Sequence, residues 1–304
     1  MNNGYFFSNI DINTFQTESV AQYISLFQEK EHTLTGNFGR TVTEIKNQIQ
    51  AYLRNQPRSF FQVATDDSGK IRGFSGLFFS DSNTVRLLGP FATGTSNEWM
   101  EISDIFFKRI LERCKPWRDI KIRIAFTNKN AYLKQFCESH GFMQYNAERS
   151  MVLDRKKWQK EDLKELTAIG VCKVRDYQAS DFTDFLKIHP GQAYFDASTI
   201  VKNLNNFKRL MVAELDNRVV GYVFSEDFTA DGYSDVCFLN VLPSARNQRI
   251  GSMLLKKAIE DSFQKSYVKR IEISVRVNNI AAFRLYKRLG FKETVTYVAY
   301  ELIP

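Results

Sequence analysis

The segment Val241–Ser252 has the clearest potential for chemistry in this sequence, because it runs from an apolar strand pattern through a polar loop into a helical pattern. At such a junction the free amides of the first helical turn and the positive end of the helix dipole face the loop. A phosphate or diphosphate fits there, with Arg246 and Arg249 adding positive charge and Gly251 permitting close approach. The alternative interpretation is an ordinary strand-to-helix turn with a solvated basic loop.

The cysteines and histidines do not suggest a metal site. The four cysteines lack CxxC spacing, and the three histidines are scattered along the chain. A lone cysteine needs a nearby base to act as a nucleophile, so small buried cysteines are the simpler interpretation. We therefore expect no metal. The residues concerned are Cys114, Cys137, Cys172, Cys237, His32, His140 and His189.

Length and composition indicate a globular protein. The chain has 304 residues, of which 43% are hydrophobic and 25% charged, enough for one large domain or two ordinary ones. These values exclude intrinsic disorder, collagen and coiled coil. No run approaches the roughly 18 to 20 apolar residues of a membrane span, and the N-terminus lacks an export signal. We expect a soluble, cytoplasmic protein with no membrane partner.

The net charge of +8 does not by itself indicate a nucleic-acid partner. A nucleic-acid footprint requires basic residues clustered on one face or one helix, whereas these are spread along the chain. The densest run, Arg155–Lys160, is followed at once by Glu161, Asp162 and Glu165. An anionic small ligand explains the charge equally well, so we expect no nucleic-acid partner.

One pattern occurs twice in the sequence. The turns around Gly141 and Gly290 align at an offset of 149 residues, and neighbouring residues then fall into register. Two copies of one domain are the simplest account. Further aligned pairs are Ile122–Ile124 with Ile271–Ile273, Asn130 with Asn279, Phe136 with Leu285, and Leu153 with Leu302.

The second copy reads as alternating strands and helices. Apolar and β-branched runs predict strands, and apolar residues at helical spacing predict helices. The dipeptide Asp216-Asn217 predicts a hairpin turn. The order predicts a mixed α/β sheet. The predicted strands are Cys172–Arg175, Arg209–Leu215, Arg218–Asp227, Ser234–Leu242, Ile271–Val277 and Thr294–Leu302, and the predicted helices are Asp181–Ile188, Ile250–Phe263 and Ile280–Leu289.

Two motifs in this copy resemble the acetyl-CoA binding core of the GNAT acyltransferase superfamily. They are V-x-P-x-x-R-x-x-x-I-G-S-x-L-L from Val241 to Leu255 and V-x-x-x-N-x-x-A-x-x-L-Y-x-x-x-G-F from Val275 to Phe291. The resemblance implies two tandem GNAT-like acyl-CoA acyltransferase domains, each a mixed, mostly antiparallel sheet flanked by helices. The predicted organisation is a degenerate N-terminal GNAT-like domain (1–154), a charged linker (155–169) and an acetyl-CoA-binding GNAT domain (170–304).

The resemblance implies acetyl-CoA as cosubstrate. The sheet would splay open near Val241, backbone groups of residues 239–241 would bind pantetheine, and residues 246–252 would surround the diphosphate. Arg249 stands where the family usually has glycine, although its backbone amide remains. The implied cofactor-binding residues are Leu239, Asn240, Val241, Arg246, Asn247, Gln248, Arg249, Ile250, Gly251, Ser252, Asn279, Ala282 and Tyr286.

Acyl transfer to an amine needs an unprotonated amine, a stabilised oxyanion and a proton for the departing thiolate. Tyr286 matches the family's usual general acid, since a phenol of ordinary pKa about 10 is protonated at neutral pH. The alternative is a tyrosine packed on its helix. The oxyanion donor would be a backbone amide near Val241.

The general base is open. Glu226, Asp227 and Asp235 are candidates, acting directly or through water, and solvated surface positions are the alternative. Many family members carry a carboxylate at the position of Cys237, which we interpret here as an inert wall residue.

The first copy has Cys137 in place of Tyr286 and lacks the arginine pair. We interpret this copy as a wall of the acceptor cleft or a stabiliser of its sibling.

The leading hypothesis is an N-acetyltransferase that moves an acetyl group from acetyl-CoA to the primary amine of a small molecule or peptide. The alternative is a catalytically inactive CoA-sensing or protein-interaction module, suggested by Arg249, Cys237 and the degenerate first copy. A binder of acidic partners or nucleic acid would rest on the net charge alone. The sequence predicts neither the acceptor, the acyl chain length nor an oligomeric state.

Overall fold

Alternating apolar residues in both halves of the chain build sheets that bury both faces. The computed structural model describes residues 4–10, 16–36, 38–56, 58–158, 172–191, 193 and 195–304. Contacts divide the chain into two units. Unit 1 combines Met1–Ala147 with Val295–Pro304, and unit 2 comprises Glu148–Thr294. In the described residues no helix is long and apolar enough to cross a membrane.

Unit 1 has a mostly antiparallel sheet with strand order β1-β2-β3-β4-β5-β12. Among its described strands, the one parallel pairing joins β4 to β5. Capping boxes start two of its helices, at Thr41 for α2 and at Thr95 for α3. The elements are β1 (Phe6–Asn9), α1 (Gln16–Gln28), α2 (Val42–Asn55), β2 (Phe60–Thr65), β3 (Ile71–Phe79), β4 (Thr84–Ala92), α3 (Ser96–Cys114), β5 (Lys121–Thr127), α4 (Ala131–Ser139), and parts of β6 (Met143–Asp154) and β12 (Lys292–Leu302).

Unit 2 repeats this plan with strand order β6-β11-β10-β9-β8-β7, in which β10 and β11 are the only described strands that pair in parallel. Every strand and helix predicted for the second copy is confirmed, with ends displaced by at most two residues. Asp216 and Asn217 have φ of 51° and 60°, as a two-residue hairpin requires. The elements are β7 (Lys173–Asp176), α5 (Phe182–Ile188), α6 (Ala197–Lys202), β8 (Lys208–Leu215), β9 (Arg218–Phe228), β10 (Tyr233–Val241), α7 (Ile250–Gln264), β11 (Arg270–Arg276) and α8 (Ile280–Arg288).

The last strand of each half completes the sheet of the other half's unit. Residues 297–302 of β12 pair with β5 in unit 1, and residues 148–154 of β6 pair with β11 in unit 2. This division differs from the predicted boundaries at 154 and 170, which placed residues 295–304 in the C-terminal domain. The two strands occupy equivalent positions in the repeat, so the sequence pattern does not distinguish which sheet each one joins.

The sheet of unit 2 carries a separate apolar core on each face. Val223, Val236 and Leu254 belong to the core beneath α7, whereas Tyr222 and Phe224 belong to the core beneath α5 and α6. Neighbouring residues of β9 thus point to opposite faces, as strand geometry requires. The two faces, named below the α7 face and the α5 face, present different side chains to the site.

The predicted charged linker begins with an anchored segment. Arg155 donates hydrogen bonds to the carbonyl oxygens of Phe263, Lys265 and Val268 at distances of 2.5 to 2.6 Å. Because these carbonyls lie at and beyond the C-terminal end of α7, the guanidinium satisfies acceptors that the helix leaves open. Trp158 packs on Phe263 at a ring distance of 5.1 Å. The rest of the linker, residues 159–169, lies outside the described residues.

Candidate functional site

Strand β10 separates from its parallel neighbour β11 part-way along its length. Residues 233–236 pair with 270–273, whereas residues 238–241 pair with β9 only, among the described strands. An irregularity between Val236 and Phe238 marks the change. The edge of Leu239–Val241 that faces away from β9 therefore has no strand partner, and its backbone can bond a ligand.

The loop after β10 delivers the start of α7 to this opening. Asn247 and Arg249 both adopt the left-handed region, with φ of 64° and 61°. Arg249 occupies the N-cap position and its side chain makes no capping hydrogen bond. The amides of the first turn of α7 are therefore not covered by the cap side chain and present the positive end of the helix dipole.

A cleft of about 510 Å³ lies between the end of β10 and the helices α7 and α8. Of the described residues that line it, three are arginines and none is acidic. Its wall thus suits a ligand that combines apolar groups with negative charge. The lining residues are Leu239, Val241, Ala245, Arg246, Asn247, Arg249, Ile250, Gly251, Ser252, Asn279, Ala281, Ala282, Leu285, Tyr286 and Arg288.

The backbone of Arg249 explains why a glycine suits this position. A left-handed conformation costs an ordinary L-residue about 1–2 kcal/mol, and glycine avoids the cost. The exposed Arg249 side chain keeps the turn and places a guanidinium in the wall of the cleft. The departure from the usual pattern therefore preserves the loop geometry.

Tyr286 lies in the wall of the cleft and in the core of the α7 face. The residue is buried, packs near Phe291 at a ring distance of 6.0 Å, and belongs to α8. Burial raises the pKa of its phenol to about 12, so the hydroxyl keeps its proton at neutral pH. Asn279 accepts a hydrogen bond from the Ala282 amide at 3.1 Å and so caps the helix that carries Tyr286.

Glu226 and Asp235 lie together, but neither lines the cleft. They occupy opposing positions on β9 and β10 and approach Cys237, whose Sγ is 3.7 Å from an Asp235 carboxylate oxygen and 3.9 Å from one of Glu226. Burial, and secondly the negative charge of Glu272, raise the pKa of Asp235 to about 7. Glu226 forms an ion pair with Lys208. Asp235 is therefore able to exchange a proton near neutral pH.

Asp227 belongs to an ion network at the far end of α7. Its carboxylate is 2.7 Å from Lys265 Nζ and accepts a hydrogen bond from the Tyr267 hydroxyl at 2.8 Å. Lys265 follows the last residue of α7, whereas the cleft lies at the first turn, about 20 Å away for a helix of this length. This candidate base is therefore held away from the cleft and acts as a structural ion-pair partner.

The Asn240 side chain joins a buried hydrogen-bond chain and does not line the cleft. The Phe195 carbonyl can only accept, so His189 Nε2 donates to it at 2.7 Å and His189 Nδ1 accepts from the Tyr222 hydroxyl at 2.7 Å. Tyr222 in turn accepts from Asn240 Nδ2 at 3.0 Å. This chain ties the open end of β10 to the segment between α5 and α6. Gln248 also does not line the cleft.

The sequence interpretation missed Arg288. Its guanidinium lines the cleft and donates from Nη2 to Ser252 Oγ at 2.9 Å. Ala281, Leu285 and Arg288 follow one another at intervals of three and four residues on α8, so they share a helix face with Ala282. That spacing is the signal that identifies Arg288 as a cleft residue.

Unit 1 has a smaller crevice at the corresponding place. It measures about 230 Å³, and its walls include Phe91, Trp99 and Tyr132. The ring of Trp99 lies 5.2 Å from that of Tyr132, whose hydroxyl is 3.2 Å from Ser96 Oγ at the start of α3. None of the described residues that line this crevice is charged.

Comparison with known proteins agrees with this geometry. A model of the acetyltransferase (GNAT) family matches residues 172–291. These residues are therefore similar to the GNAT family. A tandem GNAT protein from the clavulanic acid biosynthesis pathway, solved without acetyl-CoA, is 14% identical and aligns over 98% of both chains with a TM-score of 0.65. At this identity the likeness shows the fold alone, that of a tandem GNAT protein.

Two curated relatives match parts of this chain. An uncharacterized N-acetyltransferase of Methanocaldococcus jannaschii is 35% identical over 82 residues, which are 27% of this chain and 51% of the relative. An N-alpha-acetyltransferase of Sulfurisphaera tokodaii is 27% identical over 139 residues, which are 40% of this chain and 80% of the relative. The match thus spans about half the length of the first relative.

Proposed function

We propose that this protein is an N-acetyltransferase of the GNAT type that uses acetyl-CoA and acetylates the primary amine of a small-molecule or peptide acceptor. The observation that carries the proposal is the cleft of unit 2. There an open strand edge, an uncapped helix start and three arginines meet beside a protonated tyrosine. Acetyl-CoA would supply an acetyl group activated as a thioester.

The chain's own groups suit the parts of this cosubstrate. Backbone groups of residues 239–241 would bond the pantetheine amides, because that edge of β10 lacks a strand partner. The first-turn amides of α7, with Arg246 and Arg249, would hold the diphosphate. Gly251 leaves room for this approach, since a Cβ there would meet the cleft residues Leu285 and Val241 at 3.6 and 3.8 Å.

Tyr286 would donate the proton that the departing thiolate requires. A phenol with a pKa of about 12 remains protonated up to strongly alkaline pH, so the donor is present throughout the neutral range. A backbone amide near Val241 would stabilise the oxyanion.

Asp235 would accept the amine proton through water. Its pKa of about 7 places the carboxylate in the range where a general base works best at neutral pH. A direct contact is not part of this proposal, because Asp235 does not line the cleft. Glu226 would keep the pKa of Asp235 raised through its negative charge, while its own carboxylate stays paired with Lys208.

The position of the carboxylates also supports a second candidate function. Neither Glu226 nor Asp235 lines the cleft, so a module that binds CoA without turnover is the alternative. The two functions differ in one measurable property, the release of free CoA in the presence of an amine.

Calorimetric titration of the intact protein with acetyl-CoA, followed by an assay of thiol release, tests the proposal. The amine panel should include peptide N-termini, since one relative is named an N-alpha-acetyltransferase, together with lysine peptides, amino sugars and polyamines. We expect one acetyl-CoA site per chain and turnover with at least one amine. Binding without turnover would favour the CoA-binding module, and absence of binding would refute both functions.

A further inference from the structure

The side chain of Asn240 lies on the opposite face of the open strand segment from the cleft. Leu239 and Val241 line the cleft on the α7 face, so the side chain of the residue between them points to the α5 face. Tyr222 lies opposite Asn240 in the strand pairing and belongs to the core of the α5 face. The Asn240 side chain therefore borders the same gap as the cleft but is reached from the other side of the sheet.

The buried chain through Tyr222 determines how the Asn240 carboxamide is turned. The Tyr222 hydroxyl uses its one hydrogen on His189 Nδ1, and burial raises the pKa of this phenol, so the hydrogen stays in place. The phenolic oxygen then accepts from Asn240 Nδ2 at 3.0 Å. Asn240 Oδ1 consequently points away from Tyr222, and none of the described residues donates a hydrogen bond to it. Because Asn240 is only half-buried, this oxygen is an oriented acceptor that a ligand can reach.

The acceptor amine of the proposed function would arrive on the α5 face. Acetyl-CoA in the cleft would cover the gap from the α7 face, so the α5 face is the side from which an amine reaches the thioester carbon. A primary amine attacks with its lone pair and keeps two N–H bonds. Its nitrogen becomes positively charged as the new bond forms, so a hydrogen bond from it to a carboxamide oxygen strengthens in the transition state.

We propose that Asn240 Oδ1 accepts a hydrogen bond from the attacking amine, and that Tyr222 and His189 are positioning residues that fix the orientation of the carboxamide. The inference rests on the proposed function. In the transfer the C–N bond forms, the C–S bond breaks, one amine proton leaves through water and Tyr286 protonates the thiolate. A primary amine has a second N–H for Asn240, whereas a secondary amine does not. Unit 2 then prefers primary amines to their N-methyl derivatives.

Rates with two amines that differ by one N-methyl group test the proposal. The probes are glycinamide, a small model of a peptide N-terminus, and sarcosinamide, its N-methyl derivative. Where wild type acetylates another class of amine faster, the matched N-methyl pair is taken from that class. Asn240→Leu keeps the branched shape of the side chain and removes the carboxamide. The control is Asn203→Leu, which changes an exposed asparagine at the end of α6. The full chain is assayed at saturating acetyl-CoA.

We expect Asn240→Leu to lower kcat/KM for glycinamide about tenfold, as the loss of one charge-assisted hydrogen bond predicts. The value for sarcosinamide should fall by less than about threefold, so the preference for the primary amine narrows. Acetyl-CoA affinity in calorimetric titration should not change, because the backbone of Asn240 and not its side chain would bond pantetheine. Asn203→Leu should match wild type. An equal loss with both amines, or an unchanged preference, overturns the proposal.

Asn240→Ala separates hydrogen bonding from side-chain size. On the proposal, the leucine and alanine variants narrow the preference equally, since both lack the carboxamide. A preference that survives in Asn240→Leu and disappears in Asn240→Ala would be steric, and this result refutes the hydrogen bond to the amine.

Tyr222→Phe tests the positioning role. It keeps the ring that packs on Phe185 at 4.8 Å and removes the oxygen that orients Asn240. We expect about a threefold loss of kcat/KM with glycinamide and no further loss in the Asn240→Leu background, and an additive loss would show that Tyr222 acts independently. Failure of wild type to acetylate any amine refutes the proposed function, whereas the same preference in all variants refutes only the role of Asn240.

Discussion

The two units have a crevice at the same place in the fold, but the helix start beside it differs between them. In each, a strand separates from its parallel neighbour and a helix starts beside the gap. In unit 1 the helix start is closed by its own carboxylate, because Glu98 accepts a hydrogen bond from the Thr95 amide at 2.7 Å. In unit 2 Arg249 occupies the cap position without capping. The negative charge that a ligand would bring to α7 is thus already present at α3.

The crevices of the two units also differ in the size of one side chain. Tyr132 of unit 1 aligns with Ala281 of unit 2, and both residues line their crevices. The phenol ring, 5.2 Å from the Trp99 ring and tilted by 30° to it, occupies space that alanine leaves open. The crevices measure about 230 and 510 Å³ accordingly. A few residues at the gap, on an unchanged fold, therefore separate a filled crevice from one that suits a ligand.

The largest expected effect is the unfolding of a C-terminal fragment that lacks the strand contributed by the other half of the chain. A fragment of residues 170–304 lacks β6, and with it the buried Met151 and Leu153 and the hydrogen bonds of Arg155. Loss of each large buried side chain costs about 2–5 kcal/mol, so we expect this fragment to unfold. Circular dichroism should show a folded sheet for fragment 148–294 and not for 170–304. A cooperative thermal transition for 170–304 would contradict the exchanged strands.

Tyr286 and Cys137 occupy equivalent positions, but only Tyr286 lines a cleft. Cys137 is fully buried and is not among the residues that line the crevice of unit 1, so its thiol has no access to a ligand there. Tyr286→Phe should lower turnover about 100-fold, within the range of general acid catalysis, and leave acetyl-CoA affinity unchanged. Steady-state kinetics and titration measure the two quantities. A parallel loss of affinity would assign Tyr286 to binding.

Exchanging the aligned residues tests the comparison directly. Ala281→Tyr places the large residue of unit 1 in the cleft of unit 2, and we expect acetyl-CoA affinity to fall by about tenfold or more while the melting temperature stays constant. The reverse change, Tyr132→Ala, is the matched control. It enlarges the crevice of unit 1 but leaves Glu98 at the helix start, so a second acetyl-CoA site should not appear in the titration. Unchanged affinity of Ala281→Tyr would show that Ala281 does not border the ligand.

Periodicity was sufficient for the elements of unit 2 because each strand or helix buries one recognisable set of apolar residues. The hairpin at Asp216-Asn217 and the end of β10 before Pro243 follow from local backbone preferences alone. The exchange of β6 and β12 between the units does not follow from local preferences, since equivalent strands of a repeat carry equivalent patterns. Local sequence determines the elements, while their partners depend on the whole chain.

The residues of the candidate site also differ in how well the sequence predicts them. The loop and helix start of 246–252 are continuous in sequence, so one motif identifies most of the residues that line the cleft there. The carboxylates are distant in sequence, and the face to which each points depends on the irregularity near Cys237. Asp227 and Glu226 are equally good candidate bases in the sequence because adjacent strand residues look alike there, although their side chains point to opposite faces.

Asp235 gives unit 2 a pH dependence. Because its folded pKa of about 7 exceeds the ordinary value near 4, stability from this group is full below pH 4 and is lost as the pH rises to about 7. Asp235→Asn removes the buried charge, so its melting temperature should exceed that of wild type by a few degrees at pH 8 and by little at pH 4.

The same variant tests the base. Wild-type turnover should rise through pH 7 as the carboxylate forms, and Asp235→Asn should be slower without that rise. Calorimetric melts and a pH–rate profile measure the two effects. A rise in rate that survives in the variant would transfer the role of base to another group, and an equal stability gain at both pH values would contradict the raised pKa.

The smallest effect concerns the cap residue that distinguishes α7 from α3. Arg249 is held at φ of 61°, which costs about 1–2 kcal/mol, and glycine would recover part of this after its larger unfolded-state entropy. Arg249→Gly should therefore raise the melting temperature by about 1–3 °C while lowering acetyl-CoA affinity a few-fold through loss of the guanidinium. Arg249→Ala is the matched control, since it removes the charge and keeps the left-handed strain. The two variants should lose acetyl-CoA affinity equally and differ in melting temperature. A destabilised Arg249→Gly would mean that interactions of the arginine side chain outweigh the strain of its backbone.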